Sequence, residues 1–227
     1  MIVFYRKNHA DIILAAIIKH YNPDTIIKEY SDNKQVLSFA KSQNNHSFLR
    51  VNDWSEAIMI KYKTPSWIHN NYRQDFIKNL LCHKDVETGK VVNFIALNLF
   101  NPENIFEAYT EEVITMREMV EQVKKEITLF RQNIDKKVKD GIIYVNINPV
   151  HNIADIMAEE LMDDCTLPLI IFQGDYAVVG NAEQLGFKTD FVKTTRYEAL
   201  RIKKEIVVER TLPQKTVTTK NTTLMQY

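Results

Sequence analysis

The first eighteen residues constrain this chain more than any other stretch. A β-branched and aromatic run, Ile2-Val3-Phe4-Tyr5, meets a polar hinge, Arg6-Lys7-Asn8-His9-Ala10-Asp11, and then an apolar run from Ile12 to Ile18. That order predicts strand, loop and helix. In open α/β sheets the loop at a strand's C-terminal end is where ligands bind. Asp11 stands there, at the mouth of the first helix.

The same alternation continues. Thr25–Tyr30 reads as a second strand and Gln35–Lys41 as a short helix. Phe48-Leu49-Arg50-Val51 reads as a third strand, ending at Asn52-Asp53-Trp54-Ser55, where Asp53 or Ser55 caps a helix through Tyr62. Pro65-Ser66-Trp67-Ile68 leads a fourth, very short strand into His69-Asn70-Asn71, and a helix runs from about Tyr72 to Cys82. Strands and helices at this spacing predict a mainly parallel sheet covered on both faces.

From Lys90 the pattern is helical only. Val91 to Phe100 is apolar on most sides, and Asn101-Pro102 opens the next helix. Ile105, Tyr109, Val113, Met116, Val120, Val123, Ile127, Phe130, Ile134 and Val138 then recur at three and four, which predicts one long amphipathic helix ending near Gly141. It either packs along one domain or forms the seam of a coiled-coil dimer. A second α/β unit follows: strands at Ile142–Asn146 and Pro168–Phe172, a helix at Ile153–Leu161, and a hairpin through Gly174-Asp175 into Tyr176–Val179. Gly186–Val192 and Glu205–Glu209 read as further strands. The fold class is α/β: a mainly parallel N-terminal domain over 1–100, a connecting helix over 101–140, a reduced C-terminal α/β domain over 141–210, and a mobile threonine-rich tail over 211–227.

Composition excludes several classes. The 29 basic and 29 acidic side chains cancel, so no global field draws the chain to nucleic acid or membrane. No apolar run approaches the roughly 20 residues of a membrane span, and no secretory signal opens the chain. Cys82 and Cys165 have no CxxC partner and read as thiols in a cytoplasmic setting. Five glycines form neither GxGxxG nor a P-loop.

Four stretches, in order and spacing, resemble the motifs of the DHH phosphoesterases. They are Asn8-His9-Ala10-Asp11-Ile12 with Ala15-Ala16, Asn52-Asp53-Trp54-Ser55, Trp67-Ile68-His69-Asn70-Asn71, and Asp85 ahead of Val91-Val92-Asn93. That family comprises two-domain enzymes that hydrolyse phosphodiester or phosphoanhydride bonds with manganese or a similar divalent cation. The resemblance places Asp11 on the first-motif aspartate, Asp53 on a metal ligand, and Asp85 on the fourth-motif aspartate. It also exposes departures. Arg6 falls where the family has a histidine ligand and Ile12 where it has glycine. The three positions that give the family its name read His69, Asn70, Asn71, and the glycine-rich substrate loop near the C-terminus is missing.

A dinuclear centre clamps two cations roughly 3.5–4 Å apart with several carboxylates and imidazoles, and these substitutions are expected to dismantle it. Asp11, Asp53, His69 and Asp85 remain as a residual set for no metal or one weakly bound Mn²⁺ or Mg²⁺. Each has a plainer reading: Asp11 as an acid at a helix N-terminus, Asp53 as an N-cap, His69 as a surface histidine. Arg6 either pairs with Asp11 or binds a phosphate. His9, His46, His83 and His151 lack metal-ligand spacing. Candidate ligand-binding residues are Arg6, His9, Asn70 and Asn71, joined by Lys193, Arg196 and Arg201 from a basic stretch interleaved with Phe187, Phe191 and Tyr197, of the kind a single strand or nucleotide would use.

The resemblance therefore implies a catalytically degenerate phosphoesterase-like protein that binds a nucleotide, a single-stranded nucleic acid or a protein partner, as a monomer or as a homodimer through the long helix. The alternatives are an active, divergent Mn-dependent phosphodiesterase on short oligonucleotides or cyclic dinucleotides, and a dimeric scaffold built on that helix. The Asn/Ile/Lys-rich style suits a bacteriophage product acting in the host cytoplasm.

Overall fold

The computed structural model describes residues 2–29, 46–48, 62–163, 166–186 and 200–211. The chain divides into two compact units, Met1–Ile134 with Pro149–Ile156, and Asp135–Asn148 with Met157–Tyr227. Both are α/β.

In the first unit β1 (Ile2–Tyr5) is the centre of a parallel sheet ordered β2-β1-β3, with β2 at Ile26–Glu29 and β3 at His46–Phe48. Ile2 lies opposite Ile26 on one side and His46 on the other. Helix α1 (His9–Tyr21) is buried at every residue from Asp11 to Ile18, so it is a central helix and not a surface one. It packs against α3 (Thr88–Leu97), and His20 Nδ1 joins the two through the Ala96 carbonyl at 2.7 Å. Helix α2 (Asn71–Cys82) packs on α5 (Glu111–Asn133), which buries Val113, Val120, Val123 and Ile127. Trp67, Phe76 and Phe106 meet edge-on, with centroids 5.3 and 5.4 Å apart.

The segment 149–153 is fastened to this unit by polar contacts. Glu126 on α5 accepts the backbone N–H groups of Val150 at 2.6 Å and His151 at 3.0 Å, and the Cys82 carbonyl accepts that of Asn152 at 2.9 Å. His151 lies against His83, centroids 4.4 Å apart with the rings tilted by 32°, and both residues are buried. His83 Nδ1 accepts the N–H of Asp85, and His83 Nε2 bonds Gln122 at 3.1 Å.

The second unit is a five-stranded sheet in sequence order: β4 (Lys136–Lys139), β5 (Ile142–Ile147), β6 (Leu169–Gln173), β7 (Tyr176–Gly180) and β8 (Leu200–Lys203). Only β5 and β6 run parallel, as a pair joined through a crossover helix must; that helix is α6 (Ala154–Asp163). Ile170, Ala177, Val179, Ile202 and Val207 form its core.

Four expectations change. Ser66–His69 is a 3₁₀ turn, not a strand: Pro65 introduces it and Asn70 at once caps α2, leaving no room for an extended pair. The long helix is broken into α4 (Pro102–Phe106) and α5. Arg117 reaches back to the Phe106 and Ala108 carbonyls at 3.1 and 3.0 Å, satisfying the C-terminal carbonyls of α4, while Thr110 caps α5. That helix also stops at Asn133. Asp140 and Gly141, at φ of 53° and 74°, make a tight hairpin that folds Lys136–Lys139 onto β5, and Asp-Gly is a strong signal for such a turn. Finally, Glu205–Glu209 lies in helix α7 (Lys204–Thr211), with the strand just before it. The expected helices over 35–41 and up to Tyr62, most of the third strand, Phe187–Val192 and the tail beyond Thr211 lie outside the described residues.

Candidate functional site

The β1–α1 hinge is built locally. Strand β1 ends at Tyr5, and the Asn8 N–H turns back to the Arg6 carbonyl at 2.8 Å. Asn8 is extended (φ −135°, ψ 156°), and its side-chain oxygen caps α1 by accepting the Asp11 N–H at 2.8 Å. Asp11 thereby falls in the first helical turn, where the dipole favours a carboxylate. Its side chain is fully buried, and one oxygen, Oδ2, accepts both the Arg6 backbone N–H at 3.1 Å and the Arg6 Nε–H at 2.9 Å. Three polar atoms of the same hinge are buried without a hydrogen-bond partner: Asp11 Oδ1, Arg6 Nη2 and Asn8 Nδ2. Two donors and one acceptor are thus left over beside a helix N-terminus.

His9 begins α1. Its imidazole is held down to about 4, first by burial and then by the Lys78 ammonium, so it is neutral at pH 7. Lys78 is seven residues into α2, about 10 Å along the axis from the helix start. His69, Asn70 and Asn71 stand at that start and are exposed. Asn70 is the α2 cap, accepting the Arg73 N–H at 3.1 Å. Asp85 follows the other end of α2 and is exposed as well. His69 and Asp85 thus flank opposite ends of a 12-residue helix about 18 Å long. Among the described residues no three carboxylate, imidazole or thiol groups converge as a metal site. Asp53, Lys193 and Arg196 lie outside the described residues. Arg201 is in β8 opposite Val178, and its side chain is not described.

A second polar chain at the same sheet edge was not read from the sequence. The Tyr5 hydroxyl bonds Thr88 Oγ1 at 2.9 Å, and Thr88 donates to Glu29, which is the β2 residue opposite Tyr5. Burial raises the Tyr5 phenol, the Thr88 bond opposes this, and Glu29 adds to it. Thr88 lies 83 residues from Tyr5, and no local pattern links them. Asn8 is of a residue type that favours helix N-caps, and its capping role was not read from the sequence either.

No protein-family model matches this chain, and no curated protein matches it. Among solved structures it is similar to PggH of Vibrio cholerae, a pGpG-specific phosphodiesterase, with a TM-score of 0.51 and 12% identity over 92% of this chain and 95% of that one. At that identity the likeness is one of fold. That shared fold extends over nearly the whole chain. No helix among the described residues is long and apolar enough to cross a membrane.

Proposed function

We propose that this chain is a catalytically degenerate, DHH-phosphoesterase-like protein that binds a nucleotide or single-stranded nucleic acid at the C-terminal edge of the β2-β1-β3 sheet. The observation that carries the reading is the Arg6 guanidinium seated on Asp11, at the position where the resemblance puts a histidine ligand. A dication about 4 Å from that fixed charge would meet a repulsion of roughly 8 kcal/mol at an effective dielectric of about 20. Arg6 would have to leave before Asp11 served a metal. The hinge instead offers two unused donors, Arg6 Nη2 and Asn8 Nδ2, of the kind a phosphate oxygen accepts from.

The dinucleotide in the name of the neighbouring phosphodiesterase, pGpG, makes the first ligand to try. Purified protein is incubated with Mn²⁺ and pGpG or short oligonucleotides, products are separated by chromatography, and binding is measured by calorimetry in EDTA. The expected result is no turnover, with metal-independent binding that weakens in Arg6→Gln. Mn-dependent turnover that disappears in Asp11→Asn would overturn the reading in favour of an active phosphodiesterase.

A further inference from the structure

A groove of about 410 Å³ lies between α3 and the start of α5 and shares no residue with the β1–α1 hinge. Its half-buried and buried members are apolar: Val86, Val91, Phe94, Met116 and Met119. Its exposed members are Asp85, Glu87, Glu111, Glu112 and Thr115, with Lys90 the one cation. Lys90 is held by Glu87 at 2.6 Å. Among the described residues Asp85, Glu111 and Glu112 make no ion pair.

Helix-dipole complementarity accounts for Glu111 and Glu112, which sit in the first turn of α5. Glu87 likewise stands at the N-cap of α3 and pairs with Lys90, but neither helix terminus accounts for Asp85 or for an apolar floor inside a ring of carboxylates. A nucleic acid is repelled by that ring. A fully polar cation leaves the floor wet, and a neutral apolar partner strips water from the carboxylates without replacing it. A ligand that is both cationic and apolar satisfies both. The α5 wall from Glu111 to Met119 runs about 12 Å, long enough for two turns of a helix. Methionines adapt their shape to such an insert. We propose that this groove docks a basic amphipathic helix of a protein partner. Its apolar residues at i and i+4 seat on Phe94, Met116 and Met119, and its flanking Lys or Arg side chains face Asp85, Glu111 and Glu112.

The test titrates a fluorescein-labelled Lys/Leu amphipathic helix of about five turns with the full chain, following anisotropy at about 50 and about 300 mM salt. Saturable binding at one site per chain, weakened by salt, is expected. Glu111→Lys with Glu112→Lys is expected to weaken it about tenfold, and Asp85→Lys, outside any helix, supplies a second variant that leaves the α5 terminus alone. Circular dichroism confirms that each variant is folded. The proposal is overturned by absence of saturable binding, by equal binding of a scrambled peptide of the same composition, by equal binding of a Glu/Leu helix, or by variants that bind like the parent.

Discussion

Arg6→Met isolates what the hinge ion pair contributes. It leaves the Asp11 carboxylate fully buried with one surviving hydrogen bond, from its neighbour's backbone N–H at 3.1 Å, while Oδ1 stays unpartnered. Deleting one member of a buried pair costs about 3–5 kcal/mol. Arg6 retains 17% exposure and the backbone bond persists, which places the loss at the low end, about 3 kcal/mol. For a domain of this size that lowers the melting temperature by about 6–12 °C. The natural reporter is Trp67 fluorescence, because its ring is buried in the first unit and its Nε1 donates to the Leu99 carbonyl at 2.6 Å. Adding Asp11→Asn to Arg6→Met removes the stranded charge while keeping an acceptor for that backbone N–H, and should restore about half of the loss or more. A single variant melting within about 2 °C of the parent, or a double variant no better than the single, would refute the reasoning.

His9 gives a pH dependence of definite sign. Its folded value of about 4 lies below the ordinary 6.5, so its contribution is fully present above about 6.5 and is lost as pH falls toward 4. Urea midpoints should show about 1–2 kcal/mol lost between pH 7 and pH 5 after discounting partial exposure, a slope that His9→Gln flattens. His151 is also held low, by burial and then by His83, against the opposing pull of Glu126, and acts in the same direction. Asn8→Ala should cost about 1 kcal/mol by loss of the α1 cap, with Asn8→Ser retaining most of it, read from the same melts. Gly141→Val forces a β-branched residue to φ of 74° and should cost about 1–2 kcal/mol in the second unit's denaturant midpoint, whereas Gly141→Asn should be tolerated.

What was legible in the sequence was local. Strand β1 and helix α1 follow from two apolar runs, Ile2 to Tyr5 and Ile12 to Ile18, on either side of a polar hinge, and the Arg6–Asp11 contact spans only five positions. The Gly174-Asp175 turn between β6 and β7 announced itself by residue type. What failed was decided elsewhere in the chain. The helix break near Tyr109 depends on Arg117 arriving from eleven residues beyond Phe106. Val138 extends the helical stripe on paper, yet Asp140-Gly141 turns it into a strand where it is 64% exposed. The β-branched run Ile206-Val207-Val208 suggested a strand, but only Val207 is fully buried, on a helix. At the site, residue types placed Asp11 at a helix mouth, whereas nothing local in the sequence shows that α2 stands between His69 and Asp85. The Tyr5–Thr88–Glu29 chain joins three elements and has no signature in any one of them.

The Asp140-Gly141 hairpin also settles how the second unit meets its neighbours at high concentration. Among the described residues it makes β4 the outer strand of the sheet, exposed at all four residues, with Lys136, Lys137 and Lys139 around a single valine. Its outward N–H and C=O groups are a template for strand addition, and another copy adding there would bring lysine against lysine.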